Sequence, residues 1–321
     1  MYCIVLLMND LNYSLLKIRV RGIKHNEISE TYLQSICDWY ITEMFIGDEN
    51  IQPKLIFVKV EYIQNFYTHY YPKIHENTKF ILITGMGDIT IPNQLDPRYP
   101  QNENRKNIIN ELLSKKNLIG WFAENCDELV PKMKGIPTGV YEYDELKKYF
   151  NNQFNKTITF NLENIKVLCC HRIREWTKER NIVTNLSQLQ WSSFTDCVKN
   201  INTNNFCDTL SKYTFTLCVN GGGLDPSPKA FEAIIAGSIP IIKYSDGIYS
   251  AYKDLPVVFI KDWDEDEITY EKLKNWLNKY KKYYEDSTLR QKTLYKLTFD
   301  YWKEYILNYY ESNDCYSNEL L

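Results

Sequence analysis

The chain has 321 residues, of which 44% are apolar and 25% charged, a length that suits two hydrophobic cores of roughly 150 residues each better than one. Its 38 Lys and Arg stand against 41 Asp and Glu, for a net charge of -3. That balance excludes the global positive field that holds a nucleic-acid backbone or an anionic membrane, so any anion must be bound locally.

The N-terminal MYCIVLLMND carries an apolar stretch of a few residues without a basic flank, too short for a signal peptide or a membrane span. YCIVLLM reads as a strand and 28–45 as helical. LIFVKV at 55–60 is a strand followed by a helical 61–70, FILIT at 80–84 a strand followed by a helical 103–115, and IGWFA at 119–123 a further strand. Apolar runs without alternation mark strands buried on both faces, hence a parallel sheet covered by helices.

The pattern thins between about 143 and 163, where polar NNQFNKTITFNLEN follows DELKKYF, and restarts at KVLCCH, 166–171. We place a boundary there, between domains 1–155 and 156–321. Helical 174–189, a strand near 192–195, helical 204–212, strand TFTLCV at 214–219, helical 228–236, and strands IPIIK and VVFI at 239–243 and 257–260 make a second α/β unit. From about 268 the period is purely helical, with Leu273, Trp276, Leu277 and Tyr280, then Leu294, Leu297, Tyr301 and Tyr305, on apolar stripes of helices that pack outside.

Nine cysteines, at positions 3, 37, 126, 169, 170, 197, 207, 218 and 315, are an odd set without Cys-x-x-Cys, which implies free thiols in a reducing compartment. Cys169, Cys170 and His171 are too few for a zinc site. His25, His69 and His75 lie in polar surroundings and are expected at the surface. The aromatic share of 15%, with 26 tyrosines, suits large packed surfaces or sugar-facing walls, and equally an AT-rich genome.

NGGGLDPSPKAFEAIIAGSIPIIKY, 220–244, follows an apolar strand with three glycines and then starts a helix. Ser227 suits the N-cap, Pro228 the first helical position and Gly237 the end. Bare backbone at Gly221, Gly222 and Gly223, beside Asn220, lets a ligand approach the free N–H groups of the helix start, an anion site. Lys229 in the first turn opposes the helix dipole unless a bound anion reverses the sign. Glu232, one turn on, can accept hydrogen bonds from a ribose diol. A tight turn with a surface Lys229–Glu232 pair fits the same residues. Neither G-x-G-x-x-G nor GK[ST] is present, which counts against a dinucleotide oxidoreductase or an NTPase.

FTLCVNGGGLDPSPKAFEAIIAGSIPIIKY, with LPVVFIKDW at 255–263, resembles the donor-binding signature of exostosin-type glycosyltransferases and, less closely, that of α1,3-fucosyltransferases. The matching positions are Gly223, Asp225, Lys229, Glu232, Gly237, Ile239 and Pro240, over roughly 60 residues, with weaker matches in WFAEN (121–125) and IPTGVY (136–141). Lys229 stands where the family has Arg, and the spacing from Asp to the basic residue is longer by one. The resemblance implies an α/β fold of the GT-B type, two Rossmann-like domains facing across a cleft, with a UDP- or GDP-linked sugar as donor on the C-terminal one. It further implies a glycan or protein-glycan hydroxyl as acceptor, and neither metal nor other cofactor, since helix N–H groups and basic side chains stabilise the departing diphosphate.

His171 and Arg172 end the strand at 166–171 and can clamp a diphosphate from the side opposite Lys229, while Lys178 and Arg180 equally suit a solvated helix face. Asp88, after Gly85 and Gly87 at the end of a buried strand, is the candidate base for removing the acceptor proton, or simply orders its own turn. Glu124 and Asn125 are candidate acceptor contacts. Asp262-Trp263-Asp264 has the form of a metal-binding Asp-x-Asp, but acidic residues here suit the start of a helix. These readings lead to a glycosyltransferase without a membrane span, inverting and metal-independent, in a cytoplasmic setting, bacterial or a virus factory. The competing expectation is an inactive nucleotide- or glycan-binding α/β protein.

Overall fold

The computed structural model describes residues 13–19, 32–141, 144–199, 201–226 and 228–315. The strand expected over YCIVLLM, together with Cys3, His25 and Ser227, lies outside them.

The first sheet is built from β1 (Trp39–Ile41), β2 (Phe45–Gly47), β3 (Leu55–Lys59), β4 (Phe80–Gly85), β5 (Leu118–Ala123) and β6 (Met133–Gly135) in the order β2-β1-β3-β4-β5-β6. All neighbours are parallel except the edge pair β1 and β2. The helix expected over 28–45 is therefore not formed in its described part. Leu33–Ile36 makes one 3-10 turn, and the aromatic and β-branched run Trp39-Tyr40-Ile41 joins the sheet in register with Ile56, Phe57 and Val58. Asp38 fixes that register by accepting from the amides of Lys54 and Leu55. The helical stretch after β3 is a chain of short turns around α1 (Ile63–Asn65), whereas α2 (Glu103–Ser114) is a regular helix capped by the Asn102 side chain. Burial alternates along the strands: Ile81 and Ile83 of β4 face one apolar cluster, Phe80 and Leu82 another. Both faces are covered, as the unbroken apolar runs require.

After α3 (Asp144–Gln153), the second sheet comprises β7 (Val167–Cys169), β8 (Thr195–Cys197), β9 (Phe215–Leu217), β10 (Ile239–Lys243) and β11 (Val258–Ile260), parallel throughout in the order β11-β10-β9-β7-β8. Its helices are α4 (Lys178–Gln188), α5 (Phe206–Leu210), α6 (Pro228–Ala236) and α7 (Asp246–Tyr252). In chain order this is 2-1-3-4-5, so the winding reverses between β7 and β9, and the crevice beyond their carboxyl ends is where such sheets hold ligands. The chain thus has the α/β architecture of two Rossmann-like sheets that the sequence leads one to expect.

α8 (Tyr270–Tyr280), α9 (Lys282–Glu285) and α10 (Ser287–Tyr295) flank the second sheet, and α11 (Phe299–Cys315) returns to the first, where Tyr305 and Tyr309 meet Phe122 edge-on. One apolar cluster joins the two halves, running from Leu16, Phe57, Phe122 and Ile136 to Phe231, Ile234 and Tyr252. Every residue of α6 except Lys229 is buried. Its last turn ends against Arg290, which is fully buried and donates to the carbonyls of Ile234 (2.7 Å) and Ile235 (2.8 Å) from over the Tyr284 ring. A guanidinium here answers both the orphan carbonyls and the negative end of the helix dipole. Arg290→Ala removes both charge-assisted bonds and leaves a cavity, and should cost about 3 kcal/mol or more, read as a lower urea midpoint at unchanged slope.

Candidate active site

The loop from β9 into α6 explains its glycines by what comes close to them. A Cβ on Gly221 would lie 2.6 Å from Arg180 Nη2, one on Gly222 2.1 Å from both Arg98 Nη2 and Asp88 Oδ2, and one on Gly223 2.4 Å from Asn125 Oδ1. Gly223 also has φ 67°, a left-handed backbone that favours glycine, and its carbonyl accepts from Asn220 Nδ2 at 2.9 Å.

Several loop amides are engaged by the first half of the chain. Gly223 N–H donates to Asp96 Oδ2, and the N–H groups of Leu224 and Asp225 both donate to Asn125 Oδ1, each at 2.9 Å. Asp225 is buried, and its carboxylate accepts from Thr138 N (3.2 Å) and the Tyr252 hydroxyl (3.0 Å). It fastens the loop to the first half.

Beside the loop, at the carboxyl end of β7, His171 places Nε2 2.9 Å from both the Arg180 carbonyl and Thr184 Oγ1. A carbonyl only accepts, so Nε2 carries the proton. Burial, the nearby Lys229 ammonium and Arg180 together push the His171 pKa down to about 4, which leaves the ring neutral at pH 7. Arg180 bridges β7 and β9, donating to the Asn220 carbonyl at 3.0 Å and the Arg172 carbonyl at 2.9 Å. Its pKa is lowered by burial and then by Arg174, and among the described residues no carboxylate raises it. Arg172 and Lys178 are exposed, Lys229 is half-buried and Glu232 is buried. The carboxyl edge of the second sheet therefore carries an excess of positive charge.

The facing edge is different. β4 ends in Gly85, Met86 turns with φ 66°, and Asp88 follows; β5 leads into Glu124 and into Asn125 with φ 55°. Asn125 Nδ2 donates to the Gly87 carbonyl at 2.8 Å, which sets its Oδ1 toward the glycine loop. Arg19 donates to Glu124 Oε1 (2.5 Å), Asp88 Oδ1 (2.6 Å) and the Gly87 carbonyl (2.9 Å). Arg98 donates from Nη2 to Asp88 Oδ2 and Asp96 Oδ2, each at 2.7 Å. Glu124 also accepts from Thr138 Oγ1 and Met86 N. Burial acts to raise the Asp88 pKa, but Arg19 and Arg98 outweigh it and hold the carboxyl below its usual range. Asp96 is lowered in the same way, by Arg98 and the Gly223 amide against burial. With both oxygens taken, Asp88 is a weak base until one arginine lets go. Trp176, 45% exposed, lies under the guanidinium groups of Arg98 and Arg174, and so meets both halves.

The structure thus gathers Asp88, Glu124, Asn125, Asn220, Gly221 to Gly223, Asp225, His171, Arg172 and Lys229 around one junction. It adds Arg19, Asp96 and Arg98, which carry no local motif in the sequence, and draws Arg180 inward onto the Asn220 carbonyl and off the solvated face the sequence also allowed. Asp262 lies elsewhere, paired with Lys243 at 2.8 Å. His69 and His75 are exposed. Among the described residues no three His, Cys, Asp or Glu side chains gather as metal ligands, and no helix is long and apolar enough to cross a membrane.

No family model matches the chain. No curated protein matches it either. Among solved structures it aligns with TarM at 10% identity and TM-score 0.44, over 80% of this chain and 54% of TarM, so it spans about half of that protein. It aligns with Anabaena Alr3699/HepE in complex with UDP at 9% identity and TM-score 0.45, over 81% of this chain and 79% of that one. An α1,3-fucosyltransferase aligns at 12% identity and TM-score 0.39, over 84% and 80%. Similarity at this level says nothing of chemistry.

Asp88 and Asp96 have folded pKa values below their unfolded ones, so the stability they contribute is present above the unfolded value near 4 and is lost as pH falls through the folded values. Urea midpoints should drop on acidification from pH 6 to pH 3. The Asp88→Asn, Asp96→Asn double variant should show a shallower acid slope; an unchanged slope would mean these pairs add nothing to stability.

Proposed function

We propose that the chain is a glycosyltransferase that moves a sugar from a UDP- or GDP-linked donor to a hydroxyl of a glycan or protein-glycan acceptor, by inversion and without a metal. The observation that carries this reading is the electrical asymmetry of the junction. A cationic edge, where Arg174, Arg180 and Lys229 outnumber the buried Glu232, stands opposite loops where Asp88, Asp96 and Glu124 outnumber Arg19 and Arg98. A departing nucleoside diphosphate needs the first and an attacking hydroxyl needs the second.

In the proposed step the acceptor oxygen attacks the anomeric carbon, the bond from that carbon to the diphosphate oxygen breaks, and the acceptor proton passes to a carboxylate. Asp88 suits that role, since its side chain is 22% exposed against 6% for Asp96 and 0% for Glu124. The acceptor then displaces Arg98 or Arg19 from one carboxylate oxygen. Arg180 and Lys229 face the diphosphate, with Arg172 at the rim and the neutral His171 holding the Arg180 backbone. Glu232 takes the ribose. Glu124 and Asn125 border the acceptor side. Residues 1–155 serve the acceptor and 156–321 the donor, in a cytoplasmic setting.

A second reading, a nucleotide- or glycan-binding protein without transfer activity, is favoured by one fact: Asp96 and Asn125 already hold the loop amides that a phosphate would use. Thermal-shift titration with UDP, GDP and CMP, followed by assay of nucleotide release from UDP- and GDP-sugars with hydroxyl acceptors, separates the two. The transferase reading expects stabilisation by one diphosphate, about 2.7 kcal/mol at a hundredfold excess over Kd, and nucleotide release that depends on acceptor. Binding without release would leave the second reading. Arg180→Ala should weaken diphosphate binding about tenfold or more, Glu232→Ala should abolish the shift, and Asp88→Asn should keep it while turnover is lost.

A further inference from the structure

Away from the junction, on residues that share nothing with it, a small concavity opens to solvent. Three lysines from three parts of the chain border it: Lys134 in β6, Lys253 at the end of α7 and Lys296 between α10 and α11. The facing wall is aromatic, with Tyr301 and Tyr305 stacked at 6.2 Å and Trp302 beside them. One carboxylate, Asp254, also lines it, so the rim has an excess of two positive charges at pH 7. The main chain accounts for part of the hydrogen bonding: Lys296 Nζ donates to the Asp254 carbonyl at 2.9 Å, and Gly135 N–H to Ser250 Oγ at 3.3 Å.

We propose that this concavity binds a phosphate group, free or carried by a sugar phosphate, on Lys134, Lys253 and Lys296, with Tyr301 and Tyr305 as the wall for whatever the phosphate carries. Cationic side chains that border one concavity repel one another, and a polyvalent oxyanion reverses that sign. Lys134 feels the strain already: burial and then Lys253 push its pKa below the usual lysine range, and its ammonium rests 5.1 Å from the Tyr309 ring centre. The lysine stems and two stacked rings suit a compact polar ligand with one apolar face. The three lysines come from the edge of the first sheet, the second sheet's last crossover and the turn before the helix that returns from second to first. A phosphate there ties those three segments together where the halves join, and this site stands whether or not the glycine loop binds a nucleotide.

The test is calorimetric titration of the full chain with inorganic phosphate against sodium chloride of equal ionic strength, repeated with glucose 1-phosphate. Saturable binding is expected, weakened about tenfold by Lys253→Met, an exposed position that leaves folding intact, and further by adding Lys134→Met. Lys229→Met, in the glycine-loop cleft, should leave it unchanged. Tighter binding of the sugar phosphate, lost in Tyr305→Ala, assigns the ligand to a phosphate ester; equal affinity assigns it to the free ion. Absence of saturation, indifference to Lys253→Met, or loss in Lys229→Met instead would each overturn the site.

Discussion

Everything at the junction depends on bare backbone at Gly221, Gly222 and Gly223. Side chains from both halves come so near these three residues that a single added carbon on any of them would lie within 2.6 Å of a nitrogen or oxygen. Real Cβ atoms do not tolerate such contacts, and two of the groups involved, Asp88 and Arg98, are fixed by ion pairs. The glycines therefore serve proximity more than flexibility. The same bareness that the proposed phosphate would need admits the carboxylate of Asp96 and the amide of Asn125.

That competition has a scale. Asp96 on the Gly223 amide is a charge-assisted bond, worth about 1.5 to 3 kcal/mol against a group left unpaired, and Asn125 adds two neutral ones. The proposed diphosphate, replacing them, would bring more charge to the same N–H groups and gain Arg180 and Lys229. Asp96 does not stay unpaired when displaced, because Arg98 already donates to both its oxygens. On the proposed reading the exchange would be close to balanced in hydrogen bonds and would favour the ligand in charge.

The second half was the more legible in sequence. KVLCCH, TFTLCV, IPIIK and VVFI are short, apolar and buried on both faces, and the strands sit within or beside them; Pro228 and Gly237 bound α6 as their local chemistry dictates. The stretch around Trp39 misled because spacing alone does not separate a short strand from a helix, and pairing with β3 decided it. Arg19 and Arg98 were illegible for another reason. Arg19 meets Asp88 and Glu124 across 69 and 105 residues, and Asp96 meets Gly223 across 127. No local pattern encodes such partnerships; they exist only once the carboxyl ends of β4, β5, β7 and β9 have been brought to one place.

The two sides of that place differ in what it takes to part them. On the cleft side the halves touch through hydrogen bonds and the Arg98–Trp176 contact, which water can replace at little net cost. On the far side they share apolar contacts, from Leu16 and Ile136 to Phe231 and Tyr252, and exposing that surface costs roughly 25 cal/mol for every Å². Separation is therefore cheapest as a wedge that widens at the glycine loop and pivots on the shared core. Residues near the pivot, Tyr252 with its hydroxyl on Asp225, move least. Trp176, in contact with an arginine of each half, stands at the rim where such a wedge would open first.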